Sequence, residues 1–301
     1  LEFTLVDDEG ASSNVASLVI NIGNDVIAAD DNYSMDSDQA TIGSVVPGIL
    51  SNDSNTEVTG ATLNYDAAAA GGSSWGTDTG VSGFDWSLTG QTYNSDAGSS
   101  LPGITSSYSF SGSGSGGLAP SFDGISGNPS DADASFELWI KPDSLSGGDQ
   151  VLFESGASGD GIVIYLQDDV LNVYVKDGGV NTTATYTLSA GEISDFLQVA
   201  VTVELNNTVT LYVNGTAVDS GSYVGGLDWA GGNAAGLGTE NGGTANGITG
   251  DFDGDIALFR FYESALTTPE INENYGVIAG ISSGLTVTQM GSETDAANDV
   301  T

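Results

Sequence analysis

The chain has 301 residues, of which 41 are Asp or Glu and three are Lys or Arg, giving a formal charge of −38. Without a basic patch to neutralise phosphates, nucleic acid is excluded as a partner. The absence of Cys and His removes disulfides, thiol chemistry, the usual zinc ligand and the usual general base.

The length favours two or more units. A hydrophobic share of 39% with 44 Gly suits cores linked by tight turns, not an acidic disordered tail. Short alternating runs dominate and long amphipathic helices are missing, so the expected class is all-β. No run of about 18 apolar residues occurs, so membrane insertion is not expected. No signal peptide is visible, and the pattern starts within a strand, as a piece of a longer chain would. The charge calls for soluble cations, because so many carboxylates repel one another. Clustered Asp and Asn oxygens suit Ca²⁺, the cofactor expected here. An acidic surface that is merely solvated is the alternative.

In chain order, residues 2–26 form a hairpin pattern. Phe3 and Leu5 alternate, Asp7-Asp8-Glu9-Gly10 turns, and Val15 to Ile22 returns. Residues 28–55 open a similar pattern, with the acidic groups Asn24-Asp25 and Asp30-Asp31 at the junction and Leu50-Ser51-Asn52-Asp53 beyond it. From about residue 60 Gly and Ser dominate. "ASFELWIKPDSLSGGDQVLFESG" (134–156) alternates as a strand ending in a hairpin. "GIVIYLQDDVLNVYVKDG" (161–178) predicts two strands joined near Asp168-Asp169. "FLQVAVTVELNNTVTLYVNGTAV" (196–218) predicts two more around Asn206-Asn207, followed by an Asn214-Gly215 hairpin turn. In "GDIALFRFYESALTTPEINENY" (254–275) a strand burying Ile256, Leu258 and Phe261 leads to a helix start at Thr268-Pro269-Glu270, with Thr268 as N-cap.

Two resemblances follow. Residues 2–26 are similar to the last strands of the cadherin-like, immunoglobulin-type repeats of large RTX-type bacterial adhesins, and 28–55 to the opening of the next repeat. The blocks from 134 onward resemble, in order, the laminin-G-like, concanavalin A-like jelly roll. The matching residues are Phe136, Trp139, Lys141, Pro142, Val199 to Thr202, Leu211 to Val213, Gly215, Phe252, Gly254, Arg260, Tyr262, Ala265, Leu266, Glu270 and Ile271. Phe196 stands where the family often has Trp, and Ile256-Ala257 where many members carry an acidic pair. "LTVTQ" at 285–289 resembles the middle of the adhesin repeat, so the jelly roll is expected to be inserted into a host repeat. The chain then divides into 1–26, the closing hairpin of one repeat; 27–59, the start of the next; 60–281, the antiparallel jelly-roll sandwich; and 282–301, the continuation of the split repeat.

The resemblances imply sites. Calcium at the repeat junction would use Asp7, Asn24, Asp25, Asp30, Asp31 and Asp53. A jelly-roll calcium site would use Asp255, with Asp253 and Asp123 as partners. "DFDGD" is not an EF-hand, since Ile256 and Tyr262 stand where that loop needs Gly and Glu. The resemblance makes the segment 264–275 a closing helix and Arg260 a structural residue, its fork pairing with a carboxylate such as Glu263 or Glu270 or with helix carbonyls. For a sugar, the loops 225–233 and 238–247 offer Trp229, Asn233, Asn241 and Asn246 beside Asp251. Some concanavalin-like folds hydrolyse glycans with an E-x-D-x-x-E strand motif. None occurs, and no enzyme activity is expected. The expected function is calcium-dependent glycan binding by a monomeric segment of a secreted, cell-surface adhesin attaching to cells or biofilm. A peptide- or protein-binding module, or a spacer, is the alternative.

Overall fold

The computed structural model describes residues 2–3, 16–17, 20–21, 26–27, 54–55, 60–70, 74–76, 83–122, 132–205, 208–223, 229, 232–280 and 286–287. The chain divides into two compact units, Leu1–Glu57 with Ser282–Thr301, and Val58–Ile281. In the first unit, β1 (Glu2–Phe3) pairs antiparallel with β2 (Ala16–Ser17), placing Phe3 opposite Ala16. It also holds β3 (Ile20–Asn21), β4 (Val26–Ile27) and β5 (Ser54–Asn55), the last two paired antiparallel.

The second unit runs β6 (Leu63–Asp66), β7 (Ser74–Trp75), β8 (Trp86–Thr89), β9 (Thr92–Asn94), β10 (Ser107–Ser111), β11 (Gly116–Ala119), β12 (Ala134–Pro142), β13 (Asp149–Gly156), β14 (Asp160–Gln167) and β15 (Val170–Asp177). It continues with β16 (Val180–Thr187), β17 (Leu197–Val203), β18 (Thr208–Val213), β19 (Thr216–Ser222), β20 (Ala235–Leu237), β21 (Asp253–Tyr262) and the helix α1 (Thr268–Ala279). A last strand, β22 (Thr286–Val287), belongs to the first unit and pairs with β3.

Two antiparallel sheets make the second unit a jelly-roll sandwich. The first has the order β19-β18-β17-β12-β21-β10-β9, with β6 also on β21; the second is β16-β15-β14-β13-β20-β11-β8-β7. Alternate residues of each strand point between the sheets, where Trp86, Phe122, Phe136, Phe153, Phe259 and Phe261 form one core. Phe259 lies at its centre, with ring centroids 4.9 Å from Phe153 and 5.6 Å from Trp86.

The hairpins at Asp168 and at Asn214-Gly215 form as expected. Both sites take the left-handed backbone that a tight hairpin needs, with φ of 53° at Asp168 and of 48° and 76° at Asn214 and Gly215. Residues 134–156 do not make a hairpin. β12 pairs with β17 and β21 in the first sheet, while β13 pairs with β14 and β20 in the second, so the chain crosses the sandwich between them. Alternation identifies a strand but does not say which sheet receives it.

Gly254, the second residue of β21, has φ 148°, and a Cβ there would meet the Lys141 carbonyl oxygen at 2.4 Å and the Pro142 Cα at 2.8 Å. Gly254→Ala is therefore expected to lower stability by about 1–3 kcal/mol, measured as a lower denaturant midpoint at unchanged m-value.

The outer face of the first sheet is closed by α1. Its N-cap is Thr267, one residue before the expected Thr268, because the Thr267 N–H and hydroxyl both donate to the Glu270 carboxylate, at 2.7 and 2.8 Å. Gly280 ends the helix in the left-handed conformation. The helix lays Ile278 against Trp139, Phe196 and Leu258, and Ile271 against Tyr212 and Tyr262, with Tyr275 stacked on Trp139.

Arg260 lies beneath this helix, and its partner is neither Glu263 nor Glu270. It pairs across strands with Glu137 of β12, Nη1 lying 3.4 Å from Oε1, while Nε donates to Asn64 Oδ1 at 2.9 Å. Glu137 is fully buried and also accepts from Trp139 Nε1 (2.9 Å), Gln198 Nε2 (2.8 Å), the Tyr262 hydroxyl (3.1 Å) and Asn274 Nδ2 (3.1 Å). Burial, reinforced by the Glu137 charge, pushes the Tyr262 hydroxyl well above its ordinary pKa, so it remains a donor. The guanidinium thus completes a charged knot joining β6, β12, β17, β21 and α1.

Candidate functional site

With the first sheet covered, the outer face of the second sheet is the broad strand surface left to form a site. Its register aligns Ser87, Leu118, Gly236, Glu154, Val163, Tyr174 and Thr183 in one cross-strand row. A neighbouring row runs Val151, Tyr165, Asn172 and Thr185, and a third runs Gly156, Gly161, Lys176 and Asn181. The alternation of β15 and β16 accounts for this. Leu171, Val173 and Val175 go to the core, as do Thr182 and Ala184, so their odd-man neighbours face out.

A strap of residues 239–250 crosses the middle of this face. Ile248 packs on Val151, Val163 and Tyr165, and Val151 N–H donates to Gly250 O at 2.9 Å. Within the strap, Asn246 Oδ1 accepts from Ile248 N–H and from the Thr244 hydroxyl, both at 3.2 Å. Asn241 donates its N–H to Glu154 Oε1 at 2.9 Å and its Nδ2 to the carbonyl oxygens of Gly156, at 3.0 Å, and Ala234. Asp251 closes the strap, accepting from Gly114 N–H and the Thr239 hydroxyl, each at 2.6 Å.

Asn241, Asn246 and Asp251 are therefore brought together, but as fasteners of the strap, with most of their hydrogen-bonding capacity already used. Asn233 is exposed just before β20. Trp229 requires a correction: it is 0% exposed, packed edge-on to Phe136 with its Nε1 donating to Ala132 O at 3.1 Å, so no ring face is available to a sugar. A loop position in the sequence does not imply exposure: the Trp229 ring is part of the core, against Phe136 and Phe261.

Of the expected metal ligands, Asp7, Asn24, Asp25, Asp30, Asp31, Asp53 and Asp123 lie outside the described residues. Asp255 Oδ1 accepts from the Ser109 hydroxyl and, at 3.4 Å, from Asn94 Nδ2. Burial raises its carboxyl above the usual range, against the Ser109 hydrogen bond, and the charge of Asp143 adds to the rise. Asp253 is half-buried two residues earlier on β21, with its N–H donating to Gln150 Oε1. Among the described residues, no three Asp or Glu side chains gather where they could share an ion.

The open part of the face lies on β15 and β16, where Asn172, Tyr174 and Lys176 stand half-exposed beside exposed Asn181, Thr183 and Thr185. The Tyr174 ring rests against Val151, Val163 and Tyr165. Lys176 Nζ donates to Ser158 O at 2.6 Å. Sequence reasoning passed over these residues, although "NVYVK" signals them: polar 172, 174 and 176 alternate with apolar neighbours. An aromatic side chain among planar amides and hydroxyls, on a rigid sheet, can hold a ligand that presents both C–H faces and hydroxyl groups.

A sandwich of two antiparallel sheets is the architecture of concanavalin A-like folds. The model of the concanavalin A-like lectin/glucanases superfamily matches residues 112–272, and the chain belongs to that family. No curated protein matches the sequence. Solved structures with a similar fold include the receptor binding domain of botulinum neurotoxin C/D mosaic serotype, at 15% identity and TM-score 0.53 over 71% of this chain and 50% of that one. The binding domain of botulinum neurotoxin DC in complex with SialylT is similar at 12% identity and TM-score 0.53, over 72% and 51%. The receptor binding domain of botulinum neurotoxin D gives 15% and 0.52, over 71% and 52%. The chain spans about half the length of these domains, and at such identities the likeness is one of fold.

Proposed function

We propose that the jelly roll is a non-catalytic binding module for neutral, hydroxyl-rich glycans, carried by a secreted bacterial surface adhesin. The observation that carries this reading is the outward cluster of Asn172, Tyr174, Lys176, Asn181, Thr183 and Thr185 on β15 and β16. The charge of −38 narrows the ligand, because a body of that potential repels sialylated, sulfated or phosphorylated partners. Hydrolysis needs two carboxylates flanking the scissile bond. The three described rows hold one, Glu154, and it is buried under the strap.

The adhesin setting is supported by the resemblance of 2–26 and 28–55 to cadherin-like repeats, and the split host repeat by "LTVTQ" at 285–289. In this reading calcium belongs to the acidic stretches Asp7, Asn24-Asp25, Asp30-Asp31 and Asp53, where it would offset like charges, and the β15–β16 face works without it.

The test is a glycan array with and without EDTA, on the whole chain and on Tyr174→Ala. Binding to neutral glycans that persists in EDTA and falls at least about tenfold in the variant is the expected result, tenfold being about 1.4 kcal/mol. Unchanged binding by Tyr174→Ala would remove the site. A silent array alongside binding to a surface protein would replace the glycan by a protein ligand.

A further inference from the structure

Glu154 stands in the middle of β13, fully buried, between Gly236 of β20 and Val163 of β14. Gly236 has no side chain to spare here, since a Cβ would lie 2.3 Å from Thr239 O and 2.9 Å from Glu154 Oε1. The strap therefore descends directly onto the carboxyl group. Glu154 Oε1 accepts from Asn241 N–H, but Oε2 is buried with no hydrogen-bond partner. Asn241 has the same defect: Nδ2 serves two carbonyls, and Oδ1 is buried with no partner.

Two residues already hydrogen-bonded to each other thus each bury an acceptor oxygen without a donor. An ionised carboxylate cannot remedy this, because it only accepts. Leaving both oxygens dry and unpaired would cost heavily. A neutral carboxyl group supplies the missing donor.

We propose that Glu154 is held as the protonated acid, that its O–H donates to Asn241 Oδ1, and that this proton latches the 239–250 strap across the second sheet. Loss of the proton frees the strap and uncovers Val163 and Tyr165, extending the open face inward from Tyr174. The latch stands whether or not the ligand is a glycan.

The surroundings favour the neutral form. Burial pushes the Glu154 carboxyl up to about 8; the Asn241 N–H opposes the rise, and Glu240 on the strap adds to it. From β14 the groups facing it are Val163 and, a row away, Tyr165, whose own hydroxyl is raised by burial; from β20 it is Gly236. Beyond Val163 lies Tyr174 of β15.

The direction of the pH effect follows from proton counting. With the strap open the carboxyl is wet and titrates near its ordinary 4.5, whereas with the strap closed it titrates near 8. Between those values the closed form holds a proton that the open form releases, so closure weakens as pH rises and changes no further above about 8.

Hydrogen–deuterium exchange on the 301-residue chain tests this, with rates corrected to protection factors. In the native protein, protection of 239–250 is expected to fall from pH 5 to pH 8 by up to about tenfold per unit, while β12 and β17 keep theirs. Glu154→Gln, a neutral isostere that retains an N–H donor, is expected to hold the strap independently of pH. Flat protection of the native strap across that range, or a Glu154→Gln profile that tracks the native one, overturns the latch. Protection restored at pH 8 by millimolar Ca²⁺ in the native protein but not in Glu154→Gln would overturn it too, assigning the two oxygens to a metal ion. If Glu154→Gln does not fold, the native profile with β12 and β17 as internal reference decides.

Discussion

Arg260→Met is expected to destabilise the jelly roll by about 3–5 kcal/mol, because it leaves the Glu137 carboxylate charged, dry and uncompensated. Glu137 keeps its four neutral donors, from Trp139, Gln198, Tyr262 and Asn274, but these were positioned with a cation present. The informative companion is Arg260→Met with Glu137→Leu. Removing both charges together is expected to recover much of the loss, since buried ion pairs gain little over well-packed apolar side chains. Guanidinium melts of the two single variants and the double variant give the coupling directly. Additive losses would mean that the two side chains do not act as a pair. Loss of the knot would also loosen α1, so far-UV helix signal should decline before the strand signal in Arg260→Met.

The second large effect is expected at Phe259→Ala, again about 3–5 kcal/mol. The ring touches Tyr65 of β6, Trp86 of β8, Phe122 and Phe153 of β13, so its removal opens a cavity shared by both sheets. Tyr65, Trp86 and Phe153 belong to paired strands on both sheets and cannot collapse inward without breaking register. Trp86 fluorescence reports the change. A red shift in the native state with a lower denaturation midpoint is the expected pair, and a loss below about 1 kcal/mol would mean the core repacks freely.

These two residues also show what the sequence could and could not convey. Phe259 was not among the inward positions legible in the sequence: Ile256 and Leu258 set a phase that leaves it out, whereas a register shift against Trp139 and Ile140 puts Ile256, Phe259 and Phe261 in the core between the sheets and Leu258 under the helix. Arg260 was legible as structural, yet its partner lies 123 positions earlier, and only the β12–β21 register brings them together. The nearby Glu263 and Glu270 were attractive because they are close in sequence, but Glu263 sits past the strand end and Glu270 is engaged at the helix cap. The crossing at 143–148 was misread for the same reason: local pattern specifies a strand, and the choice of sheet is non-local. The outward row of "NVYVK" is hidden in the sequence by its ordinary alternation, which looks the same on an open face as on a covered one. Glu154 left a trace too, as an acid in the apolar run "VLFESG", which is unusual unless the group is neutralised or paired.

The placement of the three basic residues has a practical consequence. Arg260 is enclosed, Lys141 is followed by Pro142 and lies over the Phe196 ring, and Lys176 occupies the open face. Trypsin is thereby left with the Lys176–Asp177 bond, which lies inside β15 with β14 and β16 paired on either side, so the folded second unit should resist digestion. Amine coupling at Lys176 would fasten the molecule through the patch proposed to meet its ligand, and coupling through its abundant carboxylates would leave that patch clear.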